Sequence, residues 1–227
     1  LIKAGIVAAP IIVIVLKEDL GSALVFAAIW VVMIFFAGIN LKVFAKFFAL
    51  VVAAVPVAYV FMAEYQRERI EAFLHPENLD LSGNYQVWQS KIAIGSGGVF
   101  GKGLFNGTQK ELDFIPVQTS DFIFSVIGEE LGMIGGLAVI GLFTILLVRM
   151  ANIVRNSLDF YGALVVAGII GMFAFQIFEN IAMTIGLMPV TGITLPFLSY
   201  GGSSIISNML ALGLVLDVGM RSKGINF

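Results

Sequence analysis

The sequence predicts an all-α fold, a polytopic transmembrane helix bundle with one long extracytoplasmic loop. Three observations carry that reading. Hydrophobic residues make up 59% of the 227 residues and charged residues only 12%, against roughly 25% charged in soluble domains; the mean hydropathy is +1.00. A helix that crosses a bilayer needs about 20 apolar residues, and candidate spans lie near 1–16, 20–39, 44–63, 121–148, 159–187 and 201–219. Between the third and fourth, residues 64–120 gather glycine, amide and charge into one polar interruption.

Taken in order, the first span is short and the second follows a Lys17-Glu18-Asp19 corner. Lys42 and Lys46 follow the second span, Arg149 and Arg155 the fourth, and Arg221 and Lys223 the last, while Lys3 stands at the start. Basic residues in short connections mark the cytoplasmic side. Residues 64–120, residues 188–200 and the 17–19 corner therefore face outward. Within the long loop, Glu64 to Leu74 places Tyr65, Ile70, Phe73 and Leu74 among charges and reads as a short interfacial helix. His75-Pro76 and Ser82-Gly83-Asn84 then signal turns. No internal repeat divides the chain, so 1–227 reads as a single membrane domain. It opens at Leu1 without an initiator Met and reads as cut from a longer protein. With no cysteine and only His75, disulfides, thiolate sites and multi-histidine metal clusters are excluded. The net charge of -2 gives no sign of a nucleic-acid partner.

Four polar features could carry chemistry. Gly95 to Lys110 is glycine-rich, but Ser96 and Gly103 stand where a nucleotide-phosphate loop needs Gly and Ser or Thr. It is either a flexible connector or a backbone cradle that, with Lys91, Lys102 and Lys110, takes a lipid-linked phosphate. Asp121 opens the fourth span, either as a helix N-cap or as a carboxylate that accepts a proton from a sugar hydroxyl. Deeper in that span lie Glu129 and Glu130, about 12 Å below Asp121 at 1.5 Å per residue. Asp121, Ser125 and Glu129 share one helix stripe; with Glu179 and Asn180 of the fifth span they either tie helices together or line a polar cavity. Finally, Met188 to Ser204 is broken by Pro189 and Pro196. It ends in Gly201, Gly202, Ser203 and Ser204, a helix start that is either an ordinary cap or an anion site.

Several stretches together resemble the SEDS family (shape, elongation, division and sporulation). These are Asp19-Leu-Gly, Gln89 through Gly98, Gly101-Lys-Gly with Gly107-Thr-Gln, Asp121-Phe-Ile-Phe with Gly128-Glu-Glu-Leu-Gly, and Gly192 through Ser204, in order across nearly the whole chain. Gly101-Lys-Gly-Leu-Phe with Gly107-Thr-Gln looks more like the rod-shape (RodA) branch than the division branch. The resemblance implies a multi-pass protein of the bacterial cytoplasmic membrane, of about ten helices, of which this chain is the C-terminal part. It implies a glycosyltransferase that polymerises lipid II during cell elongation, with a class B penicillin-binding protein as partner. It places the family's essential aspartate on Asp121. The family's Pro-Glu-x-His-Thr-Asp is Pro116-Val-Gln-Thr-Ser-Asp here, so neither a carboxylate at Val117 nor a histidine at Thr119 is required. The usual Gln-Pro before Asp19 is Lys17-Glu18.

The expected chemistry is an inverting transfer in which Asp121 deprotonates the acceptor hydroxyl. The departing diphosphate is stabilised by Lys91, Lys102 and Lys110, by the Gly201–Ser204 helix start, or by a divalent cation (Mg2+ or Mn2+). Two rivals remain open: a lipid II flippase with Glu129 and Glu179 on the transport path, and a scaffold that only recruits a penicillin-binding protein.

Overall fold

A computed structural model describes residues 19–40, 42–46, 62–81, 83–107 and 119–222, with single positions 49, 53 and 59 between them. The expected first span and most of the third lie outside these residues. Among the described residues, where 42–46 are also helical, the helices with full bounds run in order α1 (Leu20–Phe36), α2 (Glu64–Leu74), α3 (Asn84–Gly97), α4 (Ile123–Asn156), α5 (Phe160–Thr184) and α6 (Gly202–Ser222). No strand occurs among the described residues. α4, α5 and α6 are long and apolar enough to cross a membrane, and α1 is a shorter apolar helix.

Local chemistry accounts for the helix ends. Asp19 caps α1, its Oδ1 accepting from Gly21 N at 2.9 Å, and Asp159 caps α5 by accepting from Tyr161 N and Gly162 N. A carboxylate in this position satisfies N–H groups that have no helical partner. At 34 residues α4 would run about 51 Å if straight, more than the ~30 Å hydrocarbon core, so its basic end carries Arg155 beyond the apolar stretch.

The core lies where α4, α5, α6 and the 188–200 segment meet: Phe124, Phe143, Met150, Val166, Phe173, Leu195 and Val215 are buried together. On the other side of α5, Met33 and Val32 of α1 seat against Gly168 and Gly171. Elsewhere the apolar side chains of α4 and α6, such as Leu142 and Leu210, point outward. That suits a lipid solvent, in which exposing Leu costs nothing.

The polar loops sort to opposite ends. At one end, Arg69 of α2 reaches Thr191 O, Ser90 of α3 reaches Thr184 O, and Gly21 at the start of α1 lies against Thr191 and Ile193. At the other, the 157–162 turn meets the end of α6 through Gly162 and Val218. Arg155 and Arg221 lie toward this second end, which the placement of basic residues predicts to face the cytoplasm. Single cysteines at the exposed Glu77 and Asn156 should therefore label from opposite faces of intact cells, and labelling of both by an impermeant reagent would overturn the topology. Asn84 is unsuitable for such a probe, because its Nδ2 donates to His75 O and Asn78 O and holds that turn together.

Candidate functional site

Asp121 sits in the turn before α4, not at its N-cap. The cap position is Phe122, and no side chain caps the helix. Phe122 is buried between Val87 and Ala93 of α3 and Val190, and so anchors the turn. The neighbouring backbone is held from the 191–200 segment and α5: Asn180 Nδ2 donates to Asp121 O at 2.8 Å and to Ile193 O at 2.7 Å. Ser199 Oγ donates to Ser120 O at 2.5 Å, and Tyr200 N donates to Thr119 O at 2.9 Å. These bonds use the carbonyls of Thr119, Ser120 and Asp121 and leave the half-buried Asp121 carboxylate facing Gly192, where a Cβ would lie 3.6 Å from Oδ2. The capping role is thus replaced by a carboxylate whose backbone is clamped and whose oxygens carry no structural task among the described residues.

Residues 98–103 of the glycine-rich run spend their backbone groups on α3 and α4 rather than on an anion. At Gly132, α4 breaks, with φ 66° and ψ -162°, a combination open essentially only to glycine. The break frees backbone groups that a membrane cannot satisfy, and the 98–103 turn supplies their partners. Met133 N donates to Gly98 O and Ile134 N to Val99 O, while Lys102 N donates to Glu129 O and Gly103 N to Glu130 O. Gly101 N is bonded to Gly97 O. The N–H groups of 101–103 are spent on carbonyls, so no phosphate cradle exists along this turn.

Lys102 is likewise engaged, its Nζ 2.7 Å from Glu129 Oε1, with Glu129 1% exposed. Removing one partner of a buried pair leaves an uncompensated charge worth about 3–5 kcal/mol. Lys102→Met alone should lower thermal stability strongly, whereas Lys102→Met with Glu129→Gln should recover much of the loss. Additive effects of the two changes in detergent melts would refute the pairing.

The remaining expected residues separate. Ser125 Oγ donates to Phe122 O at 2.6 Å, and Thr191 Oγ1 donates to the fully buried Glu179. The first bond is local to the start of α4 and the second ties the 188–200 segment to α5, while Glu129 faces Lys102 and Gly107. Glu179 Oε2 and Asn180 Oδ1 are buried without a partner among the described residues. Gly202 and Ser203 are exposed at the start of α6, and Ser204 Oγ lies 3.0 Å from Thr194 Oγ1. Lys110 lies outside the described residues. Lys91 lies on α3 beside Gly186, in a cavity that also includes Arg69. Reasoning from sequence gave Arg69 no role; it lay among the charges of α2, which read only as a short interfacial helix.

Comparison with known proteins places this arrangement. A model of the cell cycle protein family of FtsW, RodA and SpoVE matches residues 1–224. Stage V sporulation protein E of Bacillus subtilis (strain 168) is 42% identical over 219 residues, 96% of this chain and 59% of that protein. Peptidoglycan glycosyltransferase MrdB of Escherichia coli (strain K12) is 36% identical over 215 residues, 94% of this chain and 58% of that protein. The chain thus spans less than two thirds of the length of these relatives.

Among solved structures, a chain of one described as "Structural coordination of polymerization and crosslinking by a peptidoglycan synthase complex" aligns with TM-score 0.78 and 30% identity, covering 97% of this chain and 62% of that one. The rod shape determining protein RodA of Thermus thermophilus aligns with TM-score 0.64 and 29% identity, covering 97% and 56%.

Proposed function

Because the chain belongs to the family of FtsW, RodA and SpoVE, we propose that the protein containing it is a peptidoglycan glycosyltransferase that polymerises lipid II in the bacterial cytoplasmic membrane. Curated relatives bear the name peptidoglycan glycosyltransferase. The observation that carries the reading is the Asp121 carboxylate, backbone-clamped at the outer end of α4 and relieved of any capping role.

In the mechanism, Asp121 accepts the proton of the acceptor sugar hydroxyl as that oxygen attacks the anomeric carbon of the lipid-diphosphate donor. The bond from that carbon to the diphosphate breaks with inversion, and the leaving diphosphate carries away the electron pair. Holding the base within reach of the hydroxyl is the larger share of what the clamp contributes. Charge on the leaving group needs fixed positive partners. With the 101–103 N–H groups spent and Lys102 paired, the expected partners that remain are Lys91, Lys110 and the Gly201–Ser204 helix start. A Mg2+ or Mn2+ ion fits as a companion of the diphosphate. No three carboxylate or histidine side chains converge among the described residues, and such an ion commonly takes one or two carboxylates with substrate phosphates and water. Asp121 is the carboxylate at hand, and the ion would supply charge neutralisation.

The flippase alternative loses support, since Glu129 is paired with Lys102 and one oxygen of Glu179 with Thr191. A class B penicillin-binding protein is proposed as partner on the likeness to the synthase complex, and a role in elongation on the Gly101-Lys-Gly motif. Incubating the purified full-length protein with labelled lipid II should give a ladder of glycan strands on a gel. Intact substrate after long incubation, with the partner present, would overturn the assignment.

A further inference from the structure

A cavity of about 190 Å³ opens between α2, α3 and the 186–190 segment. It is several times the ~30 Å³ share of one liquid water molecule. Arg69 enters from α2 and Lys91 from α3, the walls include Phe73, Val87 and Pro189, and among the described residues no carboxylate lines it. The charge nearest Arg69, Glu179, lies behind Thr191 and outside the cavity lining, so two cations facing one partly apolar hollow favour an anion between them.

Arg69 is held in place, its Nη1 donating to Thr191 O at 3.2 Å, which leaves further guanidinium N–H groups to donate. No described residue pairs with the Lys91 ammonium, and its side chain is laid along Gly186, where a Cβ would overlap its end. One turn before Lys91, the exposed Trp88 and, beyond it, Tyr85 are residue types that settle at headgroup level. Such neighbours suit a cavity at the height of lipid phosphates. Its wall also connects to the proposed base: Arg69 binds the carbonyl of Thr191, and the next residue, Gly192, faces the Asp121 carboxylate.

We propose that this cavity binds the diphosphate of a lipid-linked saccharide, gripped between Arg69 and Lys91. Two charge-assisted contacts on neighbouring phosphates suit a diphosphate better than a single phosphodiester. The identity of the lipid rests on the polymerase reading; the anion site does not.

The test is a binding titration of the full-length protein, in nanodiscs of neutral phosphatidylcholine, with labelled undecaprenyl diphosphate. Lys91→Gln should weaken binding by about tenfold or more, as expected for losing a hydrogen bond to a charged group. Lys91→Arg should largely restore it. Arg69→Gln should weaken it similarly; because that change also releases Thr191, the Lys91 pair is decisive. Unchanged affinity in Lys91→Gln would overturn the site. Equal displacement by phosphatidylglycerol or by inorganic diphosphate would overturn its assignment to a lipid-linked diphosphate and identify a headgroup or a free-anion site instead. Binding needs no turnover, so Lys91-dependent binding without glycan ladders would remove the polymerase reading alone. Ladders with Lys91-independent binding would remove this inference alone.

Discussion

Asp121→Asn should give a correctly inserted, normally abundant protein that polymerises lipid II about 10²- to 10⁴-fold more slowly, the usual contribution of a positioned general base. The fold should survive for a specific reason. What the structure uses at this position is the carbonyl that accepts from Asn180 and the neighbouring Phe122 ring, and Asn supplies the same backbone and nearly the same volume. Only proton acceptance is lost. Polymerisation by the full-length variant at near wild-type rate, measured under single-turnover conditions, would end the catalytic assignment.

The second large effect is on folding. Gly97 and Gly95 lie on the same helix two residues apart, yet their environments differ completely. A Cβ at Gly97 would overlap the Gly128 carbonyl oxygen and lie 2.9 Å from Glu129 O, whereas a Cβ at Gly95 meets nothing within 4 Å. The atoms at Gly97 are helix backbone, which cannot swing aside, so Gly97→Ala must push α3 off α4. Overpacking of that kind costs about 1–3 kcal/mol. Separating the two elements also strains the four backbone bonds that repair the break at Gly132. A total of about 3 kcal/mol corresponds to a midpoint lowered by roughly 6–12 °C for a chain of this size. Gly95→Ala should leave the midpoint unchanged or slightly raised, since Ala is the better helix former. Equal melting of the two variants in detergent would show that α3 and α4 do not meet as described.

The legible parts of the fold were those set by local pattern. The stretch Glu64–Leu74 forms a helix with the expected bounds, and Tyr65, Phe73 and Leu74 face outward, as an interfacial helix requires. α3 was read as loop, and its pattern explains why. Asn84, Ser90, Ala93 and Gly97 face inward while Tyr85, Trp88 and Ile92 face outward. That inverts the periodicity of a soluble helix, because the solvent here includes lipid and the inner face needs small residues for close backbone approach. The inverted stripe is itself a signal, though it can be read only once the loop is taken to lie against the bilayer.

At the site the division is similar. Asp121 stood out by its motif and by its place at the end of an apolar run, and both are properties of neighbouring residues. Whether it capped a helix could not be decided locally, since Asp suits an N-cap wherever a helix starts; the burial of Phe122 and the reach of Asn180 moved the helix start past it. The lysines show the same limit. Lys91 and Lys102 are equivalent as sequence, eleven positions apart in one polar loop, yet one meets Glu129 and the other meets Arg69 across a cavity.

Composition and span length determined membrane residence and the class of fold, because transfer into lipid is a sum over residues and needs no partner. The partners of buried polar groups were decided only in three dimensions. The Arg69 guanidinium finds a carbonyl 122 residues away, and the carbonyls freed by the break at Gly132 find N–H groups on a turn about 30 residues upstream. A buried polar group must be satisfied by whatever the fold brings within hydrogen-bonding distance, and that distance is a property of the packed helices rather than of the order of residues along the chain.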